Sequence, residues 1–335
     1  MDGSGGDYAH LADLEHEFNT VPDVVKGRVL HIDGDFLPYQ CAGNDETPFP
    51  IARRNMFQRI ENVKVMAGAD RVVVHITGPL SDKARRFDIA VSQPYQGQRT
   101  HSQRPKNWDG LREVLESKAL ENMDYVQWDD READDALTQM QWNAQRNATH
   151  ELCVITSNDK DLRQVAGWYL DWRTNELKLR EHKHYWNEYL AAPEEFELSS
   201  TLKQGSLFHG VWFLLWQMLQ GDSTDNIPAL GKISGAWLMA NMPDECSAKA
   251  RAGKEEPKDK SCGPVLSAKI LGAIPSATPS AGYELVKAIY EAHHGENWAA
   301  YFKEQWQLLG LYYSDNDDRL TLARAIRDGV FDTVA

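Results

Sequence analysis

The sequence predicts an α/β fold: a parallel-rich central sheet flanked by helices, followed by a helical C-terminal region. Three observations carry this. Short β-branched apolar runs alternate with helix-length segments through the first half of the chain, the pattern of βαβ units covered on both faces. From about Phe208 the texture turns helical and aromatic-rich. At 335 residues, 42% hydrophobic and with eleven tryptophans, the chain is long and apolar enough to bury a sizeable core.

The elements follow in order. "RVLHIDGDF", residues 28 to 36, reads as a buried strand stopped by a turn at Asp33, Gly34 and Asp35. Residues 51 to 68 read as a helix, and "RVVVHIT", 71 to 77, as the next buried strand. A helical segment from about Asn107 to Ala119 leads to "YVQW", 125 to 128, a third strand. "READDALTQM", from 131, starts a helix; "ELCVIT", 151 to 156, is a fourth strand; "SNDKDLRQV" is a turn and another helix start. Residues 168 to 187 suggest an antiparallel excursion, with His182 and His184 on one strand face as exposed or core histidines rather than ligands. The segment from Phe208 is broken at Gly221, and 227 to 241 reads as helix, Gly-containing turn, helix. Residues 246 to 262 look like an exposed loop, and Tyr283–His294 and Trp298–Leu311 like two amphipathic helices.

Composition excludes several classes. No run of about 18 apolar residues exists, so no membrane span is expected. "MDGSGGDYAH" lacks the basic-then-apolar pattern of a secretory signal; a flexible lead-in over 1–26 and a cytoplasmic location are the expectations. Cys41, Cys153, Cys246 and Cys262 are far apart and form no CxxC pair, against both a disulfide framework and a zinc site. The formal charge of −14 speaks against nucleic acid, yet Lys83, Arg85, Arg86, Arg99, Arg104 and Lys106 stand against the single acid Asp88 between 83 and 106. A basic stretch in an acidic protein fits a metal-loaded site beside a phosphate-binding surface; a solvated charged loop is the plainer reading.

The acids are the strongest signal. Sites in open α/β sheets form at the carboxyl ends of the strands. Asp33 and Asp35 end the first strand, Glu132, Asp134 and Asp135 follow the third, and Asp159 and Asp161 follow the fourth. Acidic first turns are favoured at any helix start, so capping explains each cluster singly. It does not explain why every such edge is acidic. Carboxylates brought together repel one another, and a hard divalent cation is the natural compensation. Asp222 and Asp225, three apart, add another pair.

These residues carry a resemblance. "HIDGDF" at 31, "EADD" at 132, "SNDKD" at 157 and "GDSTDNIP" at 221 resemble, in order, the acidic motifs of the flap-endonuclease superfamily of 5′ nucleases, and particularly its phage-type 5′→3′ exonuclease branch. The likeness covers about residues 28 to 241. It implies a PIN-like nuclease domain over 27–205 with a basic arch-like segment at 78–107. A helical DNA-binding region over 206–335 would follow, with a helix-three-turn-helix at about 221–241. It further implies two Mg²⁺ ions, with Mn²⁺ as substitute, held by Asp33, Glu132, Asp134, Asp135, Asp159, Asp161, Asp222 and Asp225. Asp33, Glu132 and Asp134 would hold one ion and Asp135, Asp159 and Asp161 the other, with Asp222 and Asp225 orienting metal-bound water. Lys83, Arg85, Arg86 and Arg99 would hold the scissile phosphate. Tyr95, Gln96, Arg99, Arg104, Lys106, Gly231, Lys232, Ser234 and Gly235 would contact nucleic acid, Tyr95 as a stacking platform or else as ordinary core.

The sequence departs from that pattern at three places, one of them the hairpin "IPALGKISGAW", which has fewer and displaced glycines. Thr77 or Gly78 falls where an Asp is expected after the second strand, with Asp82 the nearest stand-in, and Gln96 falls where a phosphate-holding lysine is expected. The implied activity is two-metal hydrolysis of duplex DNA from its 5′ end, in phage replication, degradation or recombination and so in a host cytoplasm. The alternatives are a structure-specific flap endonuclease, an RNase H-like removal of primers from an RNA–DNA hybrid, and a DNA-binding protein of the same fold with impaired catalysis.

Overall fold

The computed structural model describes residues 22–98, 103–118, 123–192, 207–274, 278–314 and 319–332. A six-stranded sheet has the order β3-β2-β1-β4-β5-β6, formed by β1 (Val25–Asp33), β2 (Ala69–Thr77), β3 (Asp124–Trp128), β4 (Cys153–Thr156), β5 (Gly167–Leu170) and β6 (Leu177–Arg180). The first five strands run parallel and β6 is antiparallel to β5. The helices are α1 (Leu37–Cys41), α2 (Phe49–Met66), α3 (Arg86–Ile89), α4 (Trp108–Glu116), α5 (Ala133–Arg146), α6 (Trp186–Ala191), α7 (Val211–Gln220), α8 (Gly235–Asn241), α9 (Ala248–Arg251), α10 (Pro264–Gly272), α11 (Pro279–His294), α12 (Trp298–Leu309) and α13 (Leu320–Arg327).

Two apolar cores account for this architecture. One gathers Leu30, Ile32, Val72, Val74 and Ile76 of the central strands with Met56 and Ile60 of α2 and Leu111 and Leu115 of α4. The other joins Ile155 and Tyr169 to Leu137 and Trp142 of α5 and to the C-terminal helices. The helical region therefore shares a core with the sheet. Its centre is α7, buried at every position from Val211 to Leu219, as a helix apolar all round must be.

Register aligns the carboxyl edges. Ile32 lies opposite both Val74 and Thr156, so Asp33 ends its strand beside Ser157, and Thr77 lies opposite Trp128. The turn after β1 has no room for a side chain at Gly34: a Cβ there would lie 2.6 Å from the His75 carbonyl oxygen. Asp33 and Asp35 thereby sit against the neighbouring strand.

Two expectations are overturned. The first half of 227–241 is not helical. Asp222 and Ile227 exchange two backbone hydrogen bonds of 2.8 Å, Pro228 follows, and Lys232–Ile233 forms a short strand, β7, paired antiparallel with β8 (Lys260–Ser261). Long-range pairing wins over a local pattern there; the second half is α8. Residues 246–262, read as a loop, contain α9 and β8. No described helix is long and apolar enough to cross a membrane.

Candidate metal centre

The acids arrive on four separate segments: the end of β1, the first turn of α5, the turn after β4 and the turn after α7. Asp33 is 6% exposed; its Oδ1 accepts from the backbone N–H groups of Asp35 and Phe36 at 3.0 and 3.3 Å, and its Oδ2 from the Ser157 hydroxyl at 2.7 Å. Burial above all, then the Asp35 charge, pushes the Asp33 carboxyl up to about 7. Ser157 also accepts from the Asp159 backbone N–H at 2.9 Å, so one hydroxyl ties the ends of β1 and β4 together. Asp134 stands in the first turn of α5, raised well above the carboxylate range by burial and by the charges of Asp135, Glu132 and Asp159. The charge of Asp159 contributes to the upward shift of Asp33, Asp134 and Asp161 alike.

A second group lies beside the first. α7 ends at Gly221, whose φ of +81° and whose close approach to the Ile227 carbonyl oxygen, 2.5 Å from a would-be Cβ, suit only glycine. The sharp turn delivers Asp222 and Asp225 to Asp161, and ligand oxygens of these three lie within 4.8 Å of one another. Burial and the charge of Asp159 raise Asp161 well above its usual range. Gln217, wholly buried in α7, donates to Asp161 Oδ1 at 2.7 Å. All donors here are carboxylate oxygens, the set a hard divalent cation takes. The four cysteines are free and none belongs to this group.

The expected acids do not all have free oxygens. Asp135 is fully buried, and both its oxygens accept from Arg86, at 2.7 and 2.8 Å. Its Oδ2 also accepts from the Glu132 backbone N–H at 3.3 Å, the capping interaction. Glu132 accepts from Arg86 at 3.1 Å and from the Tyr95 hydroxyl at 2.9 Å, and pairs with Lys83 at 3.2 Å. Arg86 is 2% exposed, against the expectation of a side chain reaching for phosphate. Burial opposes its charge, but Asp135 and Glu132 outweigh it and hold its pKa well above the ordinary value. Tyr95 is likewise buried, edge-on to Phe87, in the core position that was its plainer reading.

The departures from the motif pattern are resolved in space. Lys83 Nζ lies 3.0 Å from Gln96 Oε1, so a lysine from elsewhere in the segment brings its ammonium to the amide end of Gln96. Gln96 Nε2 in turn donates to Asp225 at 3.1 Å, and its backbone N–H to the Asp225 carbonyl at 2.9 Å. Thr77 bonds Asp35 through its hydroxyl, and Asp129 fills the space that a side chain at Gly78 would need. Asp82 is exposed and only its backbone is engaged, with the Asp129 carbonyl at 3.1 Å.

The remaining residues lie further out. Arg85 is exposed and pairs with Asp88 at 3.4 Å; Arg104 stacks on Trp108 at 3.9 Å; Lys106 donates to the Asp45 carbonyl at 3.0 Å. Gly231, Lys232, Ser234 and Gly235 cluster at the start of α8, where Ser234 caps the helix and Lys232 is exposed. Arg99 lies outside the described residues. Within 78–107, Val91 and Ser92 donate to Glu304 of α12, so this part lies against the C-terminal helices. Lys160, Gln217, Ser157 and Arg112, which binds Asp35, were not anticipated. A glutamine inside the apolar run "FLLWQMLQ" was the one visible signal.

No protein-family profile and no curated protein matches the chain. Among solved structures it is similar to a bacteriophage T5 flap endonuclease in a pseudo-enzyme–product complex with DNA and metal ions, at 13% identity and TM-score 0.45, covering 90% of this chain and 98% of that one. It is similar to the T5 5′-exonuclease with bound zinc at 14% identity and TM-score 0.43, covering 90% and 99%. A third likeness is to the catalytic core of Rad2 with DNA substrate, at 12% identity and TM-score 0.40, covering 98% and 81%. At such identities and TM-scores a likeness by itself assigns no function.

Proposed function

We propose that this chain is a divalent-metal-dependent nuclease that hydrolyses DNA phosphodiester bonds at 5′ flaps and, by the same chemistry, at 5′ duplex ends. The observation that carries the reading is the cluster of Asp161, Asp222 and Asp225, with ligand oxygens within 4.8 Å of one another, next to Asp159, whose charge also acts on Asp33 and Asp134 at the carboxyl ends of the strands, and with Lys83 paired to Glu132. Asp33, Asp134 and Asp159, which no protein cation pairs in the described hydrogen-bond network, form one ion position; Asp161, Asp222 and Asp225 form the other. Mg²⁺ or Mn²⁺ bound there would activate water and stabilise charge on the phosphate. Arg86 and Asp135 are assigned to each other, as the buried support that fixes the first turn of α5. Glu132 holds Tyr95 and Lys83 in place, and Lys83 takes the phosphate-holding role that Gln96 cannot fill. The order of the sequence motifs supports a polymer substrate with a 5′ end, and the exposed Arg85, Arg104 and Lys106 offer it a basic approach.

The test is cleavage of a 5′-flap duplex, a blunt duplex and an RNA–DNA hybrid, each with Mg²⁺, Mn²⁺ or EDTA, with Asp134→Ala as control. Metal-dependent cleavage at the flap junction, absent in the variant, is expected. Cleavage of blunt ends alone would make the chain an exonuclease. Binding without cleavage under both metals would replace the enzyme by a DNA-binding module.

A further inference from the structure

Lys160 lies between two acids of the second ion position. Its Nζ is 3.1 Å from Asp161 Oδ1 and donates to Asp222 Oδ2, while Asp222 is 1% exposed. Asp161 is fixed from the other side by Gln217, which accepts from Gln164 at 2.7 Å. Gln164 is anchored in turn on the Leu309 carbonyl at 2.8 Å. Asp222 Oδ1 accepts from the Thr224 backbone N–H at 2.8 Å, so each carboxylate has a second anchor and the lysine is the adjustable member. A carboxylate as deeply buried as Asp222 is costly to leave uncompensated.

We propose that Lys160 is a displaceable internal counter-ion: its ammonium and a divalent cation compete for the same oxygens of Asp161 and Asp222. This rests on the two-ion reading above. An ammonium within hydrogen-bond reach of both acids uses the lone pairs and the negative potential that the ion needs, and two cations sharing them repel. Occupancy by metal therefore requires Lys160 to leave. Its side chain is 23% exposed, so a path to solvent is open without moving the backbone. Among the described residues, Asp33, Asp134 and Asp159 accept no hydrogen bond from a lysine, so the two ion positions differ for a reason built into the chain. Lys160 thereby lets the protein fold with its acids compensated when metal is scarce.

The experiment is a Mn²⁺ titration of the whole chain without DNA, followed by electron paramagnetic resonance of free Mn²⁺ and by thermal unfolding. Wild type should bind one ion tightly and one weakly. Lys160→Gln should tighten the weak class by roughly tenfold, a coupling of ordinary size, and this gain should vanish when Asp222→Asn is added. Lys160→Arg, which keeps the cation, should behave like wild type. Without metal Lys160→Gln should unfold at a lower temperature than wild type, and Mn²⁺ should raise it by more than it raises wild type. Unaltered Mn²⁺ affinity in Lys160→Gln would overturn competition while leaving the metal site standing. No Mn²⁺ bound by any variant would remove both proposals. If Lys160→Gln is unfolded in metal-free buffer, folding on Mn²⁺ addition supports the idea, and failure to fold at saturating Mn²⁺ overturns it.

Discussion

Asp134 and Asp135 are neighbours in sequence, yet both Asp135 oxygens are taken by Arg86 while Asp134 faces other carboxylates. Their replacement should separate stability from chemistry. Asp135→Ala leaves a guanidinium that is 2% exposed without its main partner, and loss of one member of such a pair costs roughly 3–5 kcal/mol. Asp134→Ala removes repulsion, so its unfolding free energy should hold or rise while cleavage is lost. Urea unfolding of both variants checks this, and equal destabilisation would refute the division. Lys83 yields another prediction at this scale. Lys83→Ala should lower turnover by about 10²-fold, the usual size for losing one transition-state charge contact, and Lys83→Gln with Gln96→Lys should recover part of it, since the two side-chain ends are 3.0 Å apart. Absence of recovery in single-turnover cleavage would show that the ammonium's path matters as well as its place. The acids were legible in the sequence because four motifs each crowd them within a few positions. Arg86's burial was not, because its partner comes from another element, 49 residues away.

Elements were readable where local pattern and tertiary demand agree. The β-branched runs became parallel strands, and the turn after β1 falls where Asp33, Gly34 and Asp35 put it. They were unreadable where a short segment takes its shape from a distant one. Residues 227–234 carry Ile227, Ala229, Leu230 and Ile233, all buried at spacings a helix could use, yet their backbone bonds go to Asp222, Met218 and β8. A prediction belongs to the β1 turn. Gly34→Val places branched carbons against the His75 carbonyl and the Val74 side chain, where even a Cβ would lie at 2.6 and 2.8 Å. Overpacking of this kind costs roughly 1–3 kcal/mol. Because the strain falls between β1 and β2, Asp33 should shift with it. Lowered thermal stability accompanied by weaker Mn²⁺ binding is expected; lowered stability with unchanged Mn²⁺ binding would place Asp33 outside the ion position.

For the whole molecule, two sets of buried groups act on stability with opposite sign. His75 and His182, held neutral by burial, have pKa values lowered from 6.5 to about 3 and about 4. Their folded forms bind protons more weakly than the unfolded chain does, so the stability they contribute is complete above pH 6.5 and is lost as pH falls below it. Asp33 runs the other way. Its pKa rises from 3.8 to about 7, so its folded form binds the proton more tightly, and its contribution is complete below pH 3.8 and lost as pH rises through 7. Between about pH 4 and 6.5 the two histidines outweigh the one carboxyl, so metal-free protein should be most stable near pH 6.5, with a marked loss on the acid side and a shallow one that ends just above pH 7. A cation at Asp33 displaces that proton, which ties metal affinity to pH. Below pH 7 affinity should fall by up to about tenfold per pH unit for the proton displaced, and above it level off. Calorimetric titration with Mn²⁺ from pH 5.5 to 8.5, together with urea unfolding with and without metal, tests both limbs. If the shallow loss between pH 6.5 and just above 7 persists in saturating Mn²⁺, Asp33 does not bind the ion. If it disappears while the acid limb stays, the histidines and the metal site govern separate halves of the profile, as their positions in the core and at the sheet edge require.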